Sequence, residues 1–162
     1  GNAFLGGFVY QVSDPILFSY FTSVGDFGYD GDNGYSHSIV TQVRLTDALK
    51  YVAQSDYRTT DNTFATGGFD IEEYGLAQYL LYRINEFVGA GTRIEWWKSD
   101  RLTPDSQSYY ELTTGLNIRP ATNVVVRPEV RYDWTPGDDQ FFTSNGARYN
   151  QWVFGIDCVL TY

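Results

Sequence analysis

The chain has 162 residues and a formal net charge of −9 at pH 7, and it contains 4 Trp, 14 Tyr and 11 Phe. The length suits a single domain, and the acidic balance excludes general nucleic-acid binding, which requires a basic face. The lone cysteine, Cys158, excludes an internal disulfide framework and a cysteine-based zinc cluster. No run of about 18 apolar residues is present, which excludes a transmembrane helix but not a transmembrane β-barrel.

Taken in chain order, apolar and polar residues alternate with period two, the pattern of β-strands. The first two segments and the fifth are the weakest, because both of their faces carry apolar residues. The eighth is the sharpest: valines, Pro128, Tyr132 and Trp134 alternate with charged residues of alternating sign. The nine predicted strands are 4–12, 16–24, 38–45, 49–58, 74–84, 88–97, 109–119, 123–134 and 152–162.

The connections between these strands alternate between short and long. Short turns at 13–14, 46–48, 85–86 and 120–122 are separated by long loops at 25–35, 59–73, 98–106 and 135–148. Outer-membrane barrels sort their connections in this way, with tight periplasmic turns and longer outward loops. The long loops also hold most of the acidic residues.

Aromatic residues on the apolar face cluster near the strand ends that lead into the long loops. Rings at such ends form the girdle at a membrane interface. The sequence therefore predicts a girdle, with Tyr162 on the opposite rim, made of Tyr57, Tyr74, Trp96, Tyr110, Trp134, Trp152 and Tyr162. A soluble barrel whose apolar face points inward is the alternative, but it explains neither the loop sorting nor the girdle.

Three stretches resemble the OmpL-like β-barrel porin family of bacterial outer membranes: YGLAQYLLY at 74–82, GTRIEWW at 91–97 and RPEVRYDW at 127–134. The final GID at 155–157 and Tyr162 also resemble the last strand of that family. The resemblance covers roughly 36–162 and implies a non-enzymatic barrel in the outer membrane. It also implies that these motifs belong to the C-terminal part of longer proteins.

Nine strands give an odd count, whereas single-chain bacterial barrels have an even one. We therefore expect a single β-barrel domain over 1–162 that is the C-terminal segment of a wider barrel. A small closed barrel with one strand miscounted is the alternative. The width matters because eight strands enclose a filled interior, whereas 16–18 strands leave an aqueous channel.

Charged residues on the polar faces of the strands are the candidate functional residues. They predict either a pore wall that filters hydrated solutes or a closed network of ion pairs, and the sequence leaves both open. The predicted lumen-facing set is Arg44, Lys50, Arg58, Arg83, Arg93, Glu95, Glu111, Arg119, Arg127, Glu129, Arg131, Asp133 and Asp157, with Asp56 beside them.

Catalysis and cofactors are not expected. The only histidine, His37, has no serine or acid placed beside it by the pattern. Asp30 and Asp32 form a weak metal candidate, because the DGDNG run lacks the closing Glu of a calcium loop.

The sequence thus predicts an all-β, antiparallel, up-and-down transmembrane barrel in the bacterial outer membrane. Its expected function is passive diffusion of small hydrophilic solutes or ions. Its expected partners are the lipid bilayer with its lipopolysaccharide, these solutes and further copies of the chain. The alternative is a closed barrel that anchors or surrounds a partner protein.

Overall fold

A computed structural model describes residues 2–26, 33–61, 70–100, 106–136 and 148–161. Those ranges contain nine strands, as predicted, and no helix long and apolar enough to cross a membrane. The strands are β1 (Ala3–Ser13), β2 (Ile16–Asp26), β3 (Asn33–Arg44), β4 (Leu49–Thr60), β5 (Ile71–Arg83), β6 (Val88–Ser99), β7 (Gln107–Ala121), β8 (Val124–Trp134) and β9 (Asn150–Leu160).

The nine strands form one antiparallel up-and-down sheet in sequence order. The strand order begins at β1 and ends at β9, and within the described residues no pairing joins these two edges. The predicted all-β, up-and-down architecture is therefore confirmed. The β8–β9 register is continuous from Val124 opposite Leu160 to Trp134 opposite Asn150. This register fixes which residues of the two strands lie side by side.

Several strands are longer than predicted at the ends that lead into the long loops. β3 begins at Asn33 rather than at residue 38, and β5 begins at Ile71 rather than at residue 74. These extensions carry polar residues on both faces, so alternation gives no signal there. Backbone pairing holds them in the sheet instead, as where Asn33 lies opposite Asp26.

The chain divides into two compact units, each built from parts of several strands. The first comprises Gly1–Val43, Ala53–Ala77 and Trp96–Ser108. The second comprises Arg44–Val52, Gln78–Glu95 and Tyr109–Tyr162, and it includes all of β8 and β9.

The distribution of polarity is the reverse of that in a soluble protein. Among the described residues, Ile71 and Ala77 are the only buried apolar ones, whereas seven polar or charged residues are buried, Asp133 among them. Along β9 the side chains of Trp152, Phe154 and Ile156 are 71 %, 70 % and 65 % exposed. Apolar side chains exposed in this periodic manner need an apolar surrounding.

Candidate functional site

The row of charged residues on β8 lies on one face of its strand, as the alternation predicted. Arg127, Glu129, Arg131 and Asp133 project opposite to Val126, Val130, Tyr132 and Trp134 because successive side chains of a strand point to opposite faces. Cross-strand register brings residues from β7 and β9 beside the row. We call the side of the sheet that carries this row the charged face, and the opposite side the apolar face.

Glu111 on β7 is the centre of an ion cluster on the charged face. Its carboxylate accepts hydrogen bonds from the Arg93 guanidinium and, at 2.7 Å, from the Thr113 hydroxyl. It also lies 3.5 Å from Arg131 Nε. The Glu111 carboxylate thus interacts with two arginines, and its side chain is only 19 % exposed.

Arg131 separates two carboxylates that would otherwise repel each other. Glu111 and Asp133 lie directly opposite in the β7–β8 register, an unfavourable position for like charges. Arg131 Nε lies 3.0 Å from Asp133 Oδ1 and 3.5 Å from Glu111 Oε2. Gln151 donates to the other Asp133 oxygen at 2.7 Å. The carboxylates therefore share one cation between them.

Arg93 links β5 to this cluster. Its Nε lies 3.2 Å from a Glu95 carboxylate oxygen, and its guanidinium lies 5.8 Å from the centre of the Tyr79 ring. A guanidinium at that distance gains cation–π attraction as well as charge pairing. Tyr79 was not among the predicted site residues, because Leu and Tyr occur on both faces of its strand.

Arg127 and Asp157 form a separate pair across β8 and β9. They lie directly opposite in the register, and Arg127 makes two hydrogen bonds to the carboxylate, at 2.8 and 2.5 Å. This is the bidentate geometry that matches guanidinium to carboxylate. Both side chains are about half exposed, at 49 % and 53 %.

Glu129 lies between two glycines. Gly115 on β7 and Gly155 on β9 are its direct cross-strand neighbours. With no side chain on either side, the sheet is hollow around Glu129, and the surrounding cavity of about 510 Å³ is lined by Tyr79, Arg93, Asn117, Arg127 and Asp157 among others.

The first unit contains a smaller set of charged contacts. Arg58 on β4 lies 3.1 Å from Glu73 on β5, which also accepts a hydrogen bond from Ser99 at 3.2 Å. Gln54 donates to both oxygens of Asp56. Glu73 was predicted to lie in a loop; that prediction is wrong, because β5 begins two residues before it.

Four predicted basic residues lie at strand ends beside the short turns. Arg44, Lys50, Arg83 and Arg119 are exposed. Arg83 donates to the backbone oxygen of Asp47 at 3.0 Å. These four residues are not brought into the Glu111 cluster.

The predicted girdle residues of the first unit lie on the apolar face. Tyr57 and Tyr74 contact each other with ring centres 5.0 Å apart, and both hydroxyls donate to Glu72. Trp96 donates from Nε1 to the Ser108 hydroxyl at 3.1 Å. The row continues through His37 and Tyr35 to Tyr20, which the sequence analysis missed.

The second unit holds a stack of four rings on the apolar face. Tyr110 stacks on Trp134 at 5.3 Å, Trp134 contacts Tyr132 at 5.5 Å, and Tyr132 contacts Trp152 at 4.6 Å. Tyr132 had been placed on the apolar face but not in the girdle. The remaining girdle residue, Tyr162, and the metal candidates Asp30 and Asp32 lie outside the described residues.

An up-and-down antiparallel sheet with an exposed apolar face and a charged opposite face has the construction of a transmembrane β-barrel wall. A family model described as "Putative beta-barrel porin-2, OmpL-like" matches residues 1–162, and the chain belongs to this family. The match includes β1 and β2, which the sequence resemblance, beginning near residue 36, had left out. No curated protein matches the chain.

Proposed function

We propose that this chain forms the wall of a passive outer-membrane pore whose charged face lines a water-filled lumen. Small hydrophilic solutes or ions would diffuse through it without a chemical step. The observation that carries the proposal is the reversed polarity of the sheet. Exposed apolar side chains on β9 match a lipid surrounding, and half-exposed ionic side chains on the opposite face match water.

Conductance measures this function directly. Purified full-length protein added to a planar lipid bilayer is expected to produce discrete current steps in KCl. Protein heated until its strands unfold should produce none, which makes it the matched control. Intact protein that inserts into lipid without carrying current would contradict the pore.

The orientation of the two faces can be tested separately by placing one arginine on each. Phe154 is 70 % exposed on the apolar face, whereas Asn117 lines the cavity on the charged face. Phe154→Arg should destabilise the protein in lipid by about 2–4 kcal/mol, the cost of arginine near the bilayer midplane. Asn117→Arg should cost much less. Equal costs, measured by denaturant unfolding in vesicles, would contradict the orientation.

A sheath around a partner polypeptide is the second candidate, and one observation favours it. On β1 and β2 the positions in register with Ser36 and Ser38 of β3 include Leu5 and Phe21, which are 80 % and 46 % exposed. A lumen with an apolar strip suits a protein segment better than water alone. In that case the isolated protein would co-purify with a second polypeptide and conduct only after that polypeptide is removed.

A further inference from the structure

Glu129 differs from its charged neighbours on β8 in having no ionic partner. Arg127 is paired with Asp157, and Arg131 with Glu111 and Asp133. Across the described residues, no hydrogen bond or salt bridge reaches the Glu129 carboxylate. The arginines on either side of it along the strand are therefore bound to other carboxylates, and neither donates a hydrogen bond to Glu129.

The two flanking glycines keep the space around this carboxylate open. A Cβ atom on Gly115 would lie 3.1 Å from Glu129 Cβ, and one on Gly155 would lie 3.2 Å from Glu129 Cγ. Both distances are shorter than ordinary carbon–carbon contact. Glu129 leans over Gly155, with Oε1 3.3 Å from that position. An alanine at either site would displace its neighbours by only a few tenths of an ångström, whereas a larger side chain would fill the hollow beside the carboxylate.

The charge balance of this part of the face is negative. On its β6–β9 strands, four arginines (Arg93, Arg119, Arg127 and Arg131) stand against five carboxylates (Glu95, Glu111, Glu129, Asp133 and Asp157), a net charge of −1. Both arginines that line the hollow, Arg93 and Arg127, are already bound to carboxylates. An anion entering the hollow would therefore find no free cation.

We infer that Glu129, in the hollow floored by Gly115 and Gly155, is a cation-binding position that makes the pore prefer small monovalent cations over anions. This inference rests on the proposed pore function and adds the class of solute. A monovalent cation about 4 Å from a carboxylate in water is enriched roughly fivefold by Coulomb attraction. That value sets the scale of the expected preference.

Reversal potentials in a KCl gradient across a planar bilayer measure the preference. The wild-type protein should be selective for K⁺, and Glu129→Gln should lower the K⁺-to-Cl⁻ permeability ratio by up to about fivefold. The matched control is Glu86→Gln, which removes one carboxylate from a short turn outside the hollow. Its ratio should stay at the wild-type value.

A thiol at the same position separates loss of charge from damage to the fold. In a Cys158→Ser background, Glu129→Cys is reacted with an anionic or a cationic thiosulfonate reagent after the pore has inserted. The anionic adduct should restore K⁺ selectivity, and the cationic adduct should reverse it. A ratio that neither reagent alters would overturn the inference.

The inference and the pore function fail in different ways. If the wild-type protein conducts and Glu129→Gln has the same permeability ratio, the result supports the pore and contradicts the cation site. If the wild-type protein inserts but does not conduct, the result contradicts both the pore and the cation site. Gly155→Val adds an internal check, because it keeps every charge yet fills part of the hollow beside Glu129. It should lower the ratio, and an unchanged ratio would count against the hollow.

Discussion

Glu111 and Asp157 both hold arginine on the charged face, but their surroundings differ. Asp157 has the better geometry, with two hydrogen bonds from one guanidinium, yet both partners of this pair stay about half exposed. Glu111 contacts Arg131 less closely, at 3.5 Å, but is shared by two arginines and is 19 % exposed. The comparison therefore sets an ion pair with good hydrogen-bond geometry against a cluster that is better withdrawn from water.

Water screens an exposed pair and competes for its hydrogen bonds, so good geometry there adds little stability. A carboxylate withdrawn from water is different, because its loss leaves the remaining charges without a counterion. We therefore expect the Glu111 cluster to stabilise the sheet. The Arg127–Asp157 pair, in contrast, remains accessible to solvent.

The largest effect is expected from Glu111→Gln. This change keeps the side-chain shape but leaves Arg93 and Arg131 without their shared counterion. Because both arginines are about one-third exposed, we discount the buried-pair cost and expect a loss of about 1–3 kcal/mol. Denaturant unfolding in vesicles, followed by tryptophan fluorescence, measures it. Thr113→Val, which removes only one donor to Glu111, should cost less, and a wild-type midpoint for Glu111→Gln would contradict the comparison.

A double-mutant cycle sharpens the same point. Arg93→Gln and Glu111→Gln, made singly and together, should show a coupling of about 0.5–3 kcal/mol, the range for directly contacting charges. The same cycle on Arg127 and Asp157 should give a smaller coupling. If the exposed pair coupled more strongly, hydrogen-bond geometry rather than burial would determine the strength of the ion pairs on the charged face.

Asp157→Asn should barely change stability. When the carboxylate is neutralised, the Arg127 side chain can form its hydrogen bonds with water instead, because both side chains are exposed. The unfolding midpoint is expected to coincide with that of the wild-type protein within measurement error. A loss as large as that of Glu111→Gln would mean that β9 is more deeply enclosed than the exposure of its side chains indicates.

The smallest effect is expected in how these differences in unfolding free energy depend on salt concentration. Raising ionic strength from 0.1 to 1 M shortens the Debye length from about 10 Å to about 3 Å. Any remaining difference between wild-type protein and Asp157→Asn should disappear, whereas the difference caused by Glu111→Gln should persist. Parallel unfolding curves at the two salt concentrations test this, and equal salt sensitivity would argue against distinct environments.

The sequence predicted all nine strands, but it assigned the two faces of a strand only where one face is polar. In β8, alternating charges identified both the strand and its charged face, and the structure confirms the alternation. In β5, Leu and Tyr occupy both faces. The structure exposes Tyr74, Leu76 and Leu80 while Tyr79 packs against Arg93, a partner 14 residues away. A local pattern does not contain that contact.

The partners in the ion pairs could likewise not be predicted from the sequence. Arg127 and Asp157 are 30 residues apart, and only the β8–β9 register places them opposite each other. The same holds for Glu129, whose nearest neighbours on the charged face of β8 are arginines although its cross-strand neighbours are glycines.

The strict alternation on β8 also bears on which insertions and deletions the gene can tolerate. Inserting one residue near Val126 would turn the side chains that follow it on β8, Arg131 and Asp133 among them, to the apolar face, because a shift of one position inverts every side chain. Inserting two would restore their facing while displacing their cross-strand partners. Length variation among natural variants should therefore accumulate in the long loops and be rare within β8.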